Sequence, residues 1–467
     1  MAILFSIEFF LVFLIFFILY WLMSPWAKIQ NIMLLLAGYY FVFLTSSLSL
    51  FVLLSWSLCV YLLVAMSTHE RFKNKITLTL GVMVFAYFMV FKYYLPVSEW
   101  VQASLGAHRI NLSLPMLNIL LPLGLSFYLF NSVSLVLSVA RGEISRPGLL
   151  SLLLYINFIP TLIAGPVNRA AALMPQIEAG SRTILDFKRA FYLIALALVK
   201  LFLLSSWLNE TFVAPVFSLP DGQSGWDSII AVYGWAWNIY FNFSGYTDLV
   251  TGIALLLGFR IAKNFAHPYL ADTLKNFWRD WHISLSTFIR DYIYFPLGGS
   301  RKGYCRTQVN VMIAMVLSGI WHGAGLNFLL WGAIHGAGLV IYNLWHDRVS
   351  GPRKRHMPAI LARLLTFHFV CFAWIFFRAN NFDDAMIIIS NISQFELASL
   401  TDQQRWTIGG FILVLIAYPE LVNLRNRVAA ALLGIKWYGL PLVIVPVLVL
   451  AFFFAPSGVP GFIYANF

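Results

Sequence analysis

The chain has 467 residues, 60% hydrophobic, 17% aromatic and only 11% charged, with a mean hydropathy of +0.80. A soluble fold of this length needs far more charge to cover its surface, so the composition excludes an ordinary globular enzyme and calls for lipid around much of the chain. The formal charge of +12 fits cytoplasmic loops under the positive-inside rule rather than a nucleic-acid surface, and Cys59, Cys305 and Cys371 lack the spacing of a disulfide framework or a metal site.

The opening MAILFSIEFFLVFLIFFILYWLM is too long an apolar run for a signal peptide. It lacks a positive n-region and a small-residue cleavage site, so it is expected to remain as a first helix. Lys28 marks a short inner turn, and basic connections follow at 67–75, 141–147, 168–189, 258–306, 346–363 and 424–436. The connections 97–113, 207–227 and 379–407 are acidic or nearly uncharged. The two classes alternate. With about 20 apolar residues per span, they predict an all-α polytopic membrane protein of roughly ten full crossings. Both termini then lie on the outer, periplasmic face. A single membrane-embedded domain is expected over 1–467, with its core at about 228–345 and peripheral N-terminal helices over 1–95.

Two stretches break the up-and-down plan. Residues 149–165 lie between basic connections and are expected to enter and return on the same side. Residues 309–345 are bracketed by Arg306 and Arg348; they are too many for one span and suit a tight pair of short helices. The turn is expected near Gly319, Gly323 and Gly325, because glycine permits close backbone approach. His322, inside LSGIWHGAG, then sits at the deep end of a re-entrant or hairpin element. A histidine satisfied between packed helices is the plain explanation. An ionisable group at that depth is nonetheless a functional candidate by default.

The segment 258–306 carries eight Lys or Arg and three Asp, yet is rich in aromatic residues. Phe277, Trp281, Leu285 and Phe288 keep helical spacing, with Arg279, Asp280, Arg290 and Asp291 mostly on the other side. That pattern predicts an amphipathic helix at the cytoplasmic face, with His282 near the edge of its apolar side.

FNFSGYTDLVTGIALLLGFRIAKNFAHPYL, FWRDWHISLSTFIRDYIYFPLGGSR and LSGIWHGAGLNFLLWGAIHG resemble, in order and spacing, the core of the membrane-bound O-acyltransferase (MBOAT) family. The likeness is to its bacterial, AlgI-like branch, whose members O-acetylate alginate or peptidoglycan or transfer D-alanine. LPLGLSFYLF, FIPTLIAGPVNR, FAWIFFRANNFDDA and the terminal FIYANF extend it over nearly the whole chain. The resemblance implies that His322 is the family's essential histidine and His282 its second one. Trp321, Trp281 and His335 (in WGAIHG) fall on motif positions and are implied to support the site. The chain departs from the branch at Asp280, where WRRWH is usual, and at Asn131 and Ser138, where Gln and Asp are usual.

Acyl transfer from a thioester to a hydroxyl needs the alcohol's proton removed as the carbonyl is attacked. A neutral imidazole suits that role, typically worth about 10²–10⁴-fold in rate. His282, Asn327 or Ser318 could position the donor or steady the oxyanion. A serine nucleophile at Ser284 or Ser286 lacks the GxSxG turn that would expose it. Asp248, inside an apolar span, is expected to pair or to face a cavity, in a structural or a substrate role. Arg378 is expected to snorkel to the outer interface, Glu420 to sit near a helix end after Pro419, and His267-Pro268 to stop a helix.

The resemblance implies an inner-membrane enzyme. It would move an acyl group, by expectation acetyl, from a cytoplasmic thioester such as acetyl-CoA toward a cell-surface or exported polysaccharide. No tightly bound cofactor or metal is expected. A periplasmic partner of the SGNH-hydrolase-like type is implied, because no outer connection is long enough to form a soluble domain. D-alanyl transfer to a teichoic acid or similar polymer is the nearest alternative. A membrane transporter is the rival from another class, since a polar re-entrant element is also a transporter feature.

Overall fold

The computed structural model describes residues 7–108, 113, 115–117, 119–349, 357–454 and 463, so of the terminal FIYANF only Ile463 is included. Among the described residues all regular structure is helical and there is no strand. Seven helices are long and apolar enough to cross a membrane: Ala27–Thr45, Ser47–Ser67, Lys75–Ala107, Phe187–Phe217, Leu326–His346, Ala359–Arg378 and Asp402–Gly434. The other expected crossings fall on the shorter apolar helices Phe10–Leu22, Leu125–Ala140 and Trp437–Phe453, or on Gly225–Leu256. That last helix is long enough but carries too many polar side chains to pass on hydropathy alone, whereas Leu326–His346 passes although it lies in the expected hairpin.

The chain divides into two compact units, one of Ile3–Asp186 with Ile253–Ala262 and one of Phe187–Gly252 with Lys263–Phe467. The N-terminal unit is held by apolar packing and by polar side chains that find backbone partners where water is scarce. Trp56 Nε1 donates to Ser132 Oγ at 2.8 Å, and Ser132 Oγ donates to Tyr128 O at 2.7 Å. Asn31 Nδ2 donates to Ile177 O at 2.9 Å. Such bonds are worth about 0.6 kcal/mol each in a membrane bundle, so they fix register more than stability. LPLGLSFYLF and FIPTLIAGPVNR meet here: Gly124 adopts φ +73°, and a Cβ there would lie 2.6 Å from Leu162 O. The segment from 149 folds as a helix Leu149–Ile156 followed by a 3-10 turn Ile159–Thr161. Eight residues rise only about 12 Å, too little to cross, in keeping with an element that enters and returns.

In the second unit the helix Phe187–Phe217 is interrupted by π-helical turns at Val199–Ser205 and Asn209–Val213. A π-turn leaves backbone carbonyls without their usual i+4 donor. Asn238 on Gly225–Leu256 answers one of them, its Nδ2 donating to Ser205 O at 2.5 Å, while Asn242 Nδ2 reaches Ser205 Oγ at 3.3 Å. Gly245 and Gly252 lie on the same stripe, and added Cβ atoms there would meet Leu201 at 2.9 Å and Ala190 O at 2.8 Å. Asp248, on that stripe too, accepts an ion-paired hydrogen bond from Lys200 Nζ at 2.6 Å.

The predicted hairpin forms as Tyr304–His322 and Leu326–Val349. Its helices are longer than expected, and the turn falls at Gly323–Gly325 while Gly319 stays helical. A Cβ on Gly332 would lie 2.5 Å from Met315 O and 3.2 Å from Gly319 Cα, so these two glycines let the helices touch backbone to backbone. The expected single amphipathic helix at 277–300 is instead two, Leu274–Asp280 and Ile283–Ile289, followed by a π-turn at Arg290–Tyr294. The expected apolar set Phe277, Trp281, Leu285 and Phe288 is buried all the same. Two other expectations are corrected. Asp402–Gly434 runs through Pro419, so Glu420 is mid-helix, exposed, with Asn423 Nδ2 3.4 Å away. His267-Pro268 opens a 3-10 turn, the preceding helix having ended at Leu256.

Candidate active site

His322 is the last residue of Tyr304–His322 and only 3% exposed. The helix ends there because Gly323 is extended and Gly325 begins the turn into Leu326–Val349. The imidazole is enclosed by Trp321, Trp331 and Phe377, with ring centroids at 4.6, 5.1 and 5.0 Å. One helical turn earlier on the same face, Ser318 Oγ is buried and has no hydrogen-bond partner among the described residues. A hydroxyl one turn from the histidine is suited to donate to an oxyanion.

His282 lies at the break between the two short helices, with φ +42° and 2% exposure. Left-handed backbone costs a non-glycine residue roughly 1–2 kcal/mol. Asn264 offsets it: its backbone carbonyl accepts from Ile283 N at 2.9 Å, and its Oδ1 accepts from Ser284 N at 3.4 Å and Ser284 Oγ at 2.6 Å. At about 0.5–1.5 kcal/mol per bond, the three together match or exceed the strain. They also cap the amide end of Ile283–Ile289 from outside the helix. The sequence reading missed Asn264; only its place in KNFAHP, next to the basic loop, could have drawn attention to it. The His282 ring packs at 4.6 Å on Phe243 and 6.5 Å from Trp321, so Trp321 stands beside both histidines. Burial holds the His282 imidazole neutral, its pKa well below the ordinary value.

The other candidates separate into three kinds. His335 is fully buried, with no hydrogen-bond partner for either ring nitrogen among the described residues, amid Trp278, Trp331 and Phe369 at 5.0, 5.0 and 5.7 Å. Trp331 thus touches both His322 and His335. Trp281 stacks on Phe277 at 5.7 Å and is a wall of the same aromatic cluster. Asn327 spends its amide on backbone, donating to Phe376 O at 3.2 Å and Ala379 O at 3.0 Å, which closes the end of Ala359–Arg378. Asp248 belongs with Lys200, a partner the sequence reading did not anticipate because a lone Lys in an apolar run reads as interfacial. Ser284 and Ser286 hydroxyls donate to Asn264 Oδ1 and to Trp281 O (3.1 Å), as structural serines do.

The region holding all these residues, 111–382, matches the family model of the membrane-bound O-acyltransferases. That is more than half the chain.

The chain belongs to the membrane-bound O-acyltransferase family.

It is therefore a multi-pass membrane O-acyltransferase, and the transporter reading falls. The chain is 33% identical over 337 residues to a probable alginate O-acetylase AlgI of Pseudomonas fluorescens, covering 70% of this chain and 67% of that one. It is 31% identical to a peptidoglycan O-acetyltransferase of Helicobacter pylori over 59% of this chain and 57% of the other. A teichoic acid D-alanyltransferase of Bacillus subtilis shares 26% identity over 57% of this chain and 71% of its own. The matches thus span between just over half and about seven tenths of these relatives' lengths.

Proposed function

We propose that this enzyme transfers an acetyl group from a cytoplasmic acyl thioester, acetyl-CoA or a comparable donor, for O-acetylation of a cell-surface or exported polysaccharide. The observation that carries the reading is His322, buried at the end of a helix hairpin between Trp321, Trp331 and Phe377, in a chain whose O-acetylating relatives exceed 30% identity. In the proposed step His322 takes the proton of the attacking hydroxyl as the new C–O bond forms. The C–S bond breaks, and the histidine returns that proton to the departing thiolate. His282 positions the thioester, and Ser318 donates to the oxyanion.

The enzyme sits in the inner membrane with both termini outside, and the segment 277–300 lies at the cytoplasmic face and borders the donor entrance. The acetyl leaves the site as the ester formed on that hydroxyl, and a periplasmic SGNH-hydrolase-like partner moves it from that ester to the sugar, releasing the first hydroxyl. The test is mass spectrometry of surface polymers from a deletion strain. Loss of acetate esters, restored by wild type and not by His322→Ala, supports the reading. Loss of D-alanine esters instead would move the enzyme to teichoic-acid-type chemistry, in line with the 26% identical relative.

A further inference from the structure

The second unit carries a polar pair that the proposed reaction does not use. His368 stands midway along Ala359–Arg378, roughly 14 Å from either end at about 1.5 Å per residue, and is exposed. In a hydrocarbon layer about 30 Å thick that is the middle of the bilayer. Leu361, Leu365 and Phe372 are exposed with it at helical spacing, so the histidine interrupts a face otherwise suited to lipid. A histidine at this depth is costly, and such residues almost always face protein or a water-filled cavity.

Its hydrogen bonds fix what the pair can still do. His368 Nδ1 lies 2.7 Å from Leu364 O, and a carbonyl only accepts, so Nδ1 carries the proton of the neutral ring. Nε2 is then the acceptor, and Tyr233 Oη donates to it at 2.7 Å. Every N–H and O–H of the pair is thus committed, while the lone pairs of Tyr233 Oη accept nothing among the described residues. The pair offers an acceptor and no donor. Beside it, the Phe411 ring lies 6.3 Å from that of Tyr233. Gly409 and Gly410 come just before Phe411 in Asp402–Gly434, and a Cβ on either would meet nothing within 4 Å. Glycine weakens a helix relative to alanine, and no neighbour within the chain needs the space, which leaves room for a second backbone.

We propose that Tyr233, His368 and the Gly409–Gly410 face form the docking surface for a membrane-spanning helix of another chain, one that presents a hydrogen-bond donor such as Ser, Thr, Asn or Gln at the middle of the bilayer. Other occupants do not complement the face. A second copy meeting it across a twofold axis sets acceptor against acceptor. The hydroxyls and amines of lipids stay at the headgroups, about 15 Å above and below.

The test uses the full-length protein in membranes of the cell that makes it. A photoreactive benzoylphenylalanine in place of Leu365 would be irradiated and the cross-linked peptides mapped by mass spectrometry. The expected product joins position 365 to a membrane-spanning segment of a different chain that carries Ser, Thr, Asn or Gln within a turn or two of the link. Tyr233→Phe removes the acceptor and keeps the ring, and is expected to lower the yield of that product about threefold. Gly410→Leu is expected to abolish it, with an unfolding temperature in detergent no lower than wild type, because the space is open. The same probe at Leu442, exposed on Leu440–Phe453, reports the background. Equal capture at both positions, or links only to lipid or to a second copy of this chain, would overturn the proposal. So would labelling of position 368 in His368→Cys by an impermeant maleimide, since the pair would then face water. If Gly410→Leu does not fold, Tyr233→Phe decides, and an unchanged yield in that variant overturns the docking surface.

Discussion

At the scale of single residues, the site depends on a base that is enclosed rather than solvated. His322→Ala should remove acyl transfer, by about 10²–10⁴-fold or more, while the protein remains inserted and thermally stable; polymer ester content at matched expression checks this. Asn264 acts one step back, as a positioning residue for His282. Asn264→Ala should lower kcat with little change in KM. Asn264→Asp should recover most of the loss, since it keeps the acceptor for Ser284. If the two variants were equally impaired, the acceptor would not be what matters. Lys200 and Asp248 give a stability prediction. Lys200→Met alone leaves a half-buried carboxylate without its partner and should cost about 1–3 kcal/mol, whereas Lys200→Met/Asp248→Leu should regain most of it. Thermal unfolding in detergent distinguishes the two.

At the scale of elements, the hairpin Tyr304–His322 with Leu326–Val349 decides where the base can stand. Its turn was readable from LSGIWHGAG because three glycines in seven residues leave few alternatives. What those glycines do was not readable. In the structure the Phe328 ring occupies the position a Cβ on Gly323 would take, and Asn327 Oδ1 does the same at Gly325. Gly323→Leu should therefore lower the unfolding temperature along with activity. Near-wild-type stability with lost transfer would show instead that Gly323 leaves room for substrate rather than for packing. The break at His282 was hidden for a different reason. Phe277, Trp281, Leu285 and Phe288 keep helical spacing across it, and only the distant Asn264 supplies the bonds that make two helices better than one. Local periodicity carries no record of a partner 18 or more residues away.

At the scale of the whole molecule, composition alone identified a lipid-bathed helical protein, and the motifs identified its family. The side chains that face outward, among them Leu442 at 80% and Trp406 at 83% exposure, need that lipid to be covered. The orientation proposed from charge asymmetry can be tested without engineering, because Cys305 is exposed and next to Arg306 while Cys371 is buried. An impermeant maleimide should modify Cys305 from the cytoplasmic side; modification only from outside would invert the topology. The pairing of Lys200 with Asp248 was invisible at this scale. Net charge counts residues and says nothing of which ones meet.

The π-turns in Phe187–Phe217 bear on how the family can vary. An i to i+5 bond encloses one residue more than the α-helical bond, so each such turn is a tolerated insertion, with the flanks still seated on their original neighbours. Excision of Leu203 should let Val199–Ser205 relax toward an ordinary helix without moving either end. Homologous chains are then expected to differ here by single-residue gaps, an evolutionary degree of freedom that a straight helix wedged against Gly245 and Gly252 would not have.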